Sequence, residues 1–342
     1  MDQFLGCYLD GFNGSARNSL HDRRNRKQMV DYINTLIQGC AGAANNDTEQ
    51  TCKEAITTLL LHHDKTKNAN GTVCMMGKYH NILYVAVKLC YLWQLQDAEL
   101  VCKLLTGIYS CEQTFERIFI GAIFGTKAPH FIAGWKSDFD DQEENVRGVV
   151  YFLDKANKGK LMLPVFRNSL PENIRFLDIP IDSCAKASPV KLCIQLGLPD
   201  KLLIFLRFGA QITDLSDELS NFQYILNRLS EFNHCYPYNI VACLQILLRV
   251  VPTINISKAP ISCDKTESIL IREIVAETYN DLLEDGILPR SRPLYDRCGF
   301  FPPELKHICR CAIRQQLWKN FALPAGIRQL PLPEKMWRYL DD

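Results

Sequence analysis

At 342 residues, 47% hydrophobic and 23% charged, the chain has the composition of a soluble globular protein, with room for two or three domains or one elongated array. Its formal net charge of +1 sets up no strong field toward nucleic acid or an acidic membrane. No apolar run approaches the roughly 18 residues of a membrane span.

Fifteen cysteines, an odd number with no C-x-x-C pair, read as reduced thiols acting as small core hydrophobes. The opening MDQFLGCYLDGFNG has no basic region followed by an apolar stretch, so no secretory signal is expected. A cytoplasmic location, extending to the nucleus, follows from both points. The sequons at Asn13, Asn46, Asn70 and Asn255 are then chance matches.

In chain order, residues 1–80 form a mixed region of unassigned role. In RNSLHDRRNRKQMVDYINTLIQ, the basic cluster Arg23, Arg24, Arg26 and Lys27 leads into an amphipathic helical pattern. It reads as a solvated helix start rather than as a nuclear-import or nucleic-acid signal. AGAANNDTEQTCK is a polar break and DKTKNANGT a loop. From residue 81 the texture becomes helical. NILYVAVKLCYLW and AELVCKLLTGIY are two apolar-rich helices, FERIFIGAIFG follows, and KSDFDDQEEN reads as an exposed acidic loop. NVRGVVYFLDKAN and PENIRFLDIPI extend the helical series. No group of segments alternates with period two, so almost no sheet is expected.

SPVKLCIQLGLPDKLLIFLRFGAQI, residues 188–212, carries the most information. Ser188 and Pro189 suit a helix start, Leu192 and Cys193 point inward, Gly197 ends the first helix and Gly209-Ala210 end the second. This pattern resembles an ankyrin repeat, whose period is ~33 residues. One period further on, NFQYILNRL begins a second candidate at Asn221. Its partner helix, IVACLQILLRVVPTI, arrives late, after the inserted EFNHCYPYN. NILYVAV with AELVCKLL has the same two-helix shape. Residues 81–260 are therefore expected to be degenerate ankyrin-like repeats stacked as a short solenoid. Residues 261–302 are expected to hold one more helix, TESILIREIVAETYNDLLEDG, closed by Gly286, and a proline-broken connector, ILPRSRPLYDRCGFFPP.

In residues 303–342, PPELKHICRCAIRQQLW puts Leu305, Ile308, Cys309, Ala312, Ile313 and Leu317 on one helical face. Lys306, Arg310 and Arg314 lie on other faces and are expected to keep the helix soluble. ALPAGIRQ is a turn with a short helix. In the closing LPLPEKMWRYL, Met336, Tyr339 and Leu340 share a face.

Phosphate-binding glycine loops, the G-x-S-x-G elbow and H-E-x-x-H are all missing, so no enzyme is expected. A zinc site at His307, Cys309 and Cys311 fails on geometry. A structural site needs four ligands, and Cys309 points away from the face shared by the other two. No metal or cofactor is expected.

The segment from Leu305 onward resembles a SOCS box. Leu305, Cys309 and Ile313 match its Leu-x-x-x-Cys-x-x-x-aliphatic part. Leu330, Pro331, Leu332 and Pro333, followed by Tyr339 and Leu340, match its Leu-Pro-aliphatic-Pro and Tyr-Leu part. Glu304 departs from the pattern, which has a small residue or proline there. With the repeats, the layout resembles the ankyrin repeat and SOCS box family: an all-α fold, a short ankyrin-like solenoid followed by a three-helix box. The resemblance implies a non-catalytic substrate-recognition subunit of a ubiquitin ligase. The repeats would hold a protein substrate, and the box would bind elongin C with elongin B and then cullin-5 with its RING partner. Leu305, Ile308, Cys309 and Ile313 would contact elongin C. Leu330, Pro331, Leu332 and Pro333 would contact the cullin, and Leu317, Met336, Tyr339 and Leu340 would form the box core. The alternative is an ankyrin-type scaffold whose box is non-functional. Neither nucleic acid nor a membrane is an expected partner.

Overall fold

The computed structural model describes residues 5–6, 8–9, 19–44, 47–67, 71, 80–125, 138–167, 170–212, 221–232, 234–252, 277–278, 280–286 and 303–341. The fold is all-α, with one two-stranded sheet among the described residues. None of its helices is long and apolar enough to cross a membrane. The chain divides into two compact units, residues 1–183 and 184–342, so the division falls inside the range expected for the repeats.

In the first unit six helices run as three pairs. They are α1 (Ser19–Ala44) with α2 (Thr48–Asp64), α3 (His80–Leu92) with α4 (Ala98–Glu112), and α5 (Glu116–Phe124) with α6 (Gln142–Lys158). Helix α1 packs on α3, α2 on α4, and α4 on α6. First helices thus stack on first helices and second on second, the arrangement that lets pairs share an apolar core none could bury alone. Residues 1–80 contribute the outermost of these pairs. Caps set the helix starts locally: Asp47, Asp97 and Asp141 accept backbone N–H groups of Glu49, Leu100 and Glu144. Phe115, Phe119, Phe152 and Phe176 are fully buried between the later helices.

Three readings of this unit need correction. Of PENIRFLDIPI only Phe176–Asp178 is helical, as a 3-10 turn, and PENIR is not. It forms strand β2 (Leu170–Arg175), antiparallel to β1 (Met162–Arg167), with Leu163 opposite Ile174 and both buried. Alternation over so short a segment carries little signal, and pairing with β1 supplied what periodicity could not. KSDFDDQEEN is not simply exposed: Phe139 is buried, Asp141 caps α6, and Glu144 pairs with Lys88 at 2.7 Å. Arg26 is not solvated either. It is 4% exposed, forms a double hydrogen bond to Asp138 at 2.8 Å, and donates to Asn81 at 2.7 Å.

The second unit opens with α7 (Pro189–Leu196) and α8 (Pro199–Arg207), followed by α9 (Asn221–Ser230) and α10 (Tyr238–Val250). Ser188 caps α7 through the Lys191 N–H, and Gly197 ends it at φ 64°, where a left-handed backbone favours glycine. Leu192 and Cys193 are buried, as their places on the helix predict. Helix α7 packs on α9 and α8 on α10, and EFNHCYPYN connects the second pair. Of the helix expected after Pro260, residues 277–278 and 280–284 are described and helical, and Gly286 follows at φ 71°. The connector over 287–302 lies outside the described residues. The unit ends with α11 (Leu305–Lys319), a 3-10 turn (Ala325–Gln329) and α12 (Glu334–Asp341).

Candidate functional site

Helix α11 has three faces, and they divide the stripe seen in the sequence. Ile313 and Leu317 are half-buried and pack with Trp318, Leu330, Leu332 and Trp337 on a small core of Leu323, Ile327 and Leu340. Leu305, Ile308, Cys309 and Ala312 lie on a different face and are exposed, Leu305 by 76% and Ile308 by 40%. At 3.6 residues per turn, offsets of three, four and seven keep these four together, while Ile313 is rotated toward the core. Of the four residues expected to contact elongin C, three share the solvent face and Ile313 does not.

The third face inverts the expectation for the basic residues. His307, Arg310 and Arg314 are 0%, 2% and 7% exposed. They point at backbone carbonyls at the C-terminal ends of other helices. His307 Nε2–H donates to Val251 O at 2.7 Å and Arg310 to Arg249 O at 3.1 Å, both at the C-terminus of α10. Cys311 Sγ–H donates to Val250 O at 3.5 Å beside them. Arg314 spans two helix ends, donating to Leu206 O of α8 at 2.7 Å and to Leu340 O of α12 at 2.6 Å. Positive charge at a helix C-terminus also complements the helix dipole. Burial, with Arg314 and Arg249 nearby, pushes the Arg310 guanidinium down to about 10, so it stays charged at neutral pH. Lys306 therefore remains the outward cation of the three, with its ammonium 4.2 Å from the centre of the Tyr339 ring.

Further contacts fix the module on α8. Arg207 and Asp341 make a double hydrogen bond at 2.9 and 2.5 Å. Gly209 sits at φ 89°, and a Cβ there would come within 2.7 Å of Trp318 Cδ1. The Gly-Ala step read as a helix end thus also admits the indole.

Residues 330–333 differ from the amphipathic helix before them. Leu330 and Leu332 are half-buried against the small core, while Pro331 and Pro333 are exposed. The Trp337 indole donates to Leu330 O at 3.1 Å, tying the extended segment to α12. Of the expected core residues, Leu317 and Leu340 belong to the cluster. Met336 is half-buried, and Tyr339 lies under Lys306 and Arg310. Trp318, Leu323, Ile327 and Trp337 are the core residues that sequence reading passed over. For the first three the signal was the alternation of apolar and turn residues in LWKNFALPAGI, and for Trp337 its place one residue after Met336 in the closing helix.

No group of His, Cys, Asp and Glu among the described residues has a metal-binding arrangement. His307 and Cys311 face the α10 terminus, whereas Cys309 is on the solvent face. Several buried thiols are held protonated: burial pushes Cys52 and Cys243 up to about 12 and Cys102 up to about 11. A thiol in that state is a packing group rather than a nucleophile.

Neither a curated protein nor a solved structure matches the chain. A family model, the SOCS box, matches residues 301–341. The C-terminal module, with its exposed apolar face and arginine-capped inner face, is thus similar to the SOCS box, a module that implies a link to substrate receptors of elongin–cullin ubiquitin ligases.

Proposed function

We propose that the chain is a substrate-recognition subunit of a cullin-5-type elongin–cullin ubiquitin ligase, and that its helix pairs are degenerate ankyrin-like repeats holding a protein substrate. The observation carrying this reading is the exposed face Leu305, Ile308, Cys309 and Ala312 on a helix whose other faces are already occupied. Leu305 at 76% exposure is an apolar anchor presented at a helix start. Laid into a groove of elongin C, it would bury area worth roughly 1.5–3 kcal/mol. Elongin B would join through elongin C. The exposed Pro331 and Pro333, held in an extended run by Leu330 and Leu332, suit a preordered contact with the cullin.

The stacking of first helix on first and second on second in each unit supports the ankyrin-like assignment. So do the serine cap and left-handed glycine of α7. The role is that of an adaptor: the chain brings a substrate to the ligase, and the chemistry belongs to its partners.

The test is co-purification of the full chain with elongin B, elongin C and cullin-5, with wild type beside the double variant Leu305→Asp/Cys309→Asp. Binding by wild type and loss in the variant, with an unchanged melting curve, supports the reading. Wild-type failure to bind at micromolar concentration favours the scaffold alternative. Undiminished binding by the variant would move the elongin site elsewhere.

A further inference from the structure

The first unit contains a cavity of about 600 Å³. Its walls come from the start of α1, the face of α3 and the segment leading into α6. This size is within the range of ligand and peptide sites. The cavity gathers the basic cluster that began α1 in the sequence: Arg23, Arg24, Arg26 and Lys27 all line it.

These cations have different duties. Arg26 is buried and committed to Asp138 and Asn81, so it builds the wall. Lys88 is committed to Glu144 at 2.7 Å and lies 4.7 Å from the centre of the Phe139 ring. Lys27 reaches Asp140 only at 3.8 Å, with both side chains 70% exposed, a pair of little strength in water. Arg23 and Arg24 are exposed and make no ion pair among the described residues. Of the four lining carboxylates, Asp138 and Glu144 are neutralised by Arg26 and Lys88, Asp140 is within reach of Lys27, and Asp31 is exposed on α1 four residues after Lys27. Beside the charges lie the largely buried Val30, and Leu92, which is 45% exposed. The result is a groove with two free guanidiniums at its rim and an apolar patch in its wall.

We propose that this groove is a docking site for an acidic, partly apolar segment of a partner protein, with Arg23 and Arg24 taking its carboxylates and Leu92 and Val30 its apolar side chain. Guanidiniums suit this role because their planar fork matches a carboxylate with two parallel hydrogen bonds. A nucleic-acid strand is the poorer fit. The two exposed guanidiniums are adjacent at a single helix start, enough for one or two carboxylates but not for a run of successive phosphates, and the chain as a whole carries a net charge of only +1. In a ligase receptor such a segment would belong to the substrate, so this inference rests on the function proposed above and sharpens it.

The experiment is a positional-scanning peptide library, with acidic, basic and apolar residues varied independently, screened on immobilised full chain. Wild type is compared with the double variant Arg23→Glu/Arg24→Glu, and single-stranded RNA serves as a competitor. The expected result is selection for Asp or Glu next to an aliphatic or aromatic residue. Affinity should fall about tenfold or more in the variant and weaken with added salt. No acidic selection, the same selection in the variant, or complete displacement by RNA would overturn the proposal. Capture of elongin B–C by the same two proteins reads the box separately. A variant that loses the peptide but keeps elongin separates the two sites. Peptide selection without elongin capture would sink the ligase reading and leave the groove standing.

Discussion

Helices α7 and α11 bury opposite kinds of residue. In α7 the apolar residues Val190, Leu192, Cys193 and Ile194 are inside and Lys191 is half-exposed, as amphipathic patterning predicts. In α11 the apolar Leu305, Ile308 and Ala312 are outside, while His307, Arg310 and Arg314 are inside. The same pattern of residue types thus has two solutions, and the difference lies in what each helix meets. Helix α7 meets the side chains of its stacked neighbours. Helix α11 meets backbone carbonyls at the C-terminal ends of α8, α10 and α12, which take donors. An inner face supplied by arginines leaves the apolar residues over, and they become a surface.

The comparison is broken most forcefully at Arg314. Changing Arg314→Ala strands the buried Leu340 O, leaves Leu206 O with only the Gly209 N–H, and removes charge-assisted hydrogen bonds worth roughly 1.5–3 kcal/mol each. A loss of about 3 kcal/mol or more in urea unfolding of the full chain is expected. A loss below about 1 kcal/mol would mean the inner face is not held by this residue.

Equal truncations on opposite surfaces sharpen the contrast. Leu247→Ala, at a fully buried position of α10, should cost about 2–5 kcal/mol. Leu305→Ala, at a 76% exposed position, should stay within about 0.5 kcal/mol of wild type in the same unfolding assay. Comparable losses from the two would show that the α11 face is already covered within the chain.

Gly209→Ala tests the fit of the box against α8. The residue needs a positive φ, and its new Cβ would meet the Trp318 ring, so a cost of about 1–3 kcal/mol is expected. Trp318 fluorescence should shift with it. An unshifted emission spectrum would argue that the indole does not sit over this glycine. Ser188→Ala should cost less, about 1 kcal/mol, through loss of the α7 cap alone.

The smallest effect concerns His234, whose imidazole pairs with Asp285 at 2.7 Å in the loop before α10. The hydrogen bond and charge of Asp285, with Asp281 and Glu284 nearby, raise its pKa above the usual 6.5. A raised folded value means that the pair adds stability below the unfolded pKa and loses it as pH rises through the folded one. Titration followed by NMR should therefore show His234 above 6.5 in wild type and lower in Asp285→Asn. An identical midpoint in both would remove the pair from the account.

The legible parts of the molecule were those governed by neighbours in the chain. Ser188, Pro189 and Gly197 act on backbone groups within four residues, so α7 could be bounded from its letters alone. The leucine and cysteine spacing of α11, with Leu-Pro-Leu-Pro after it, was likewise enough to bring the SOCS box into view. Arg26 and Arg314 show where such reading stops. Asp138 is 112 residues from Arg26, and Leu206 is 108 residues from Arg314. A charged residue in a helix reads as solvated unless the group that satisfies it is already known to lie opposite.

The sequence by itself determined the all-helical character of the chain, the caps of its best helix pair and the existence of an apolar stripe in its C-terminal module. Those features depend on periodicity and short-range hydrogen bonds, which linear order records. Only the tertiary structure decided that this stripe splits into a core edge and an exposed face, and that residues 1–80 pair and stack with the helices after them. It alone placed the arginines as caps on helices far away in the chain. The physical reason is the same each time: a polar group is buried only where the folded chain brings it a partner, and linear order does not say where that partner will be.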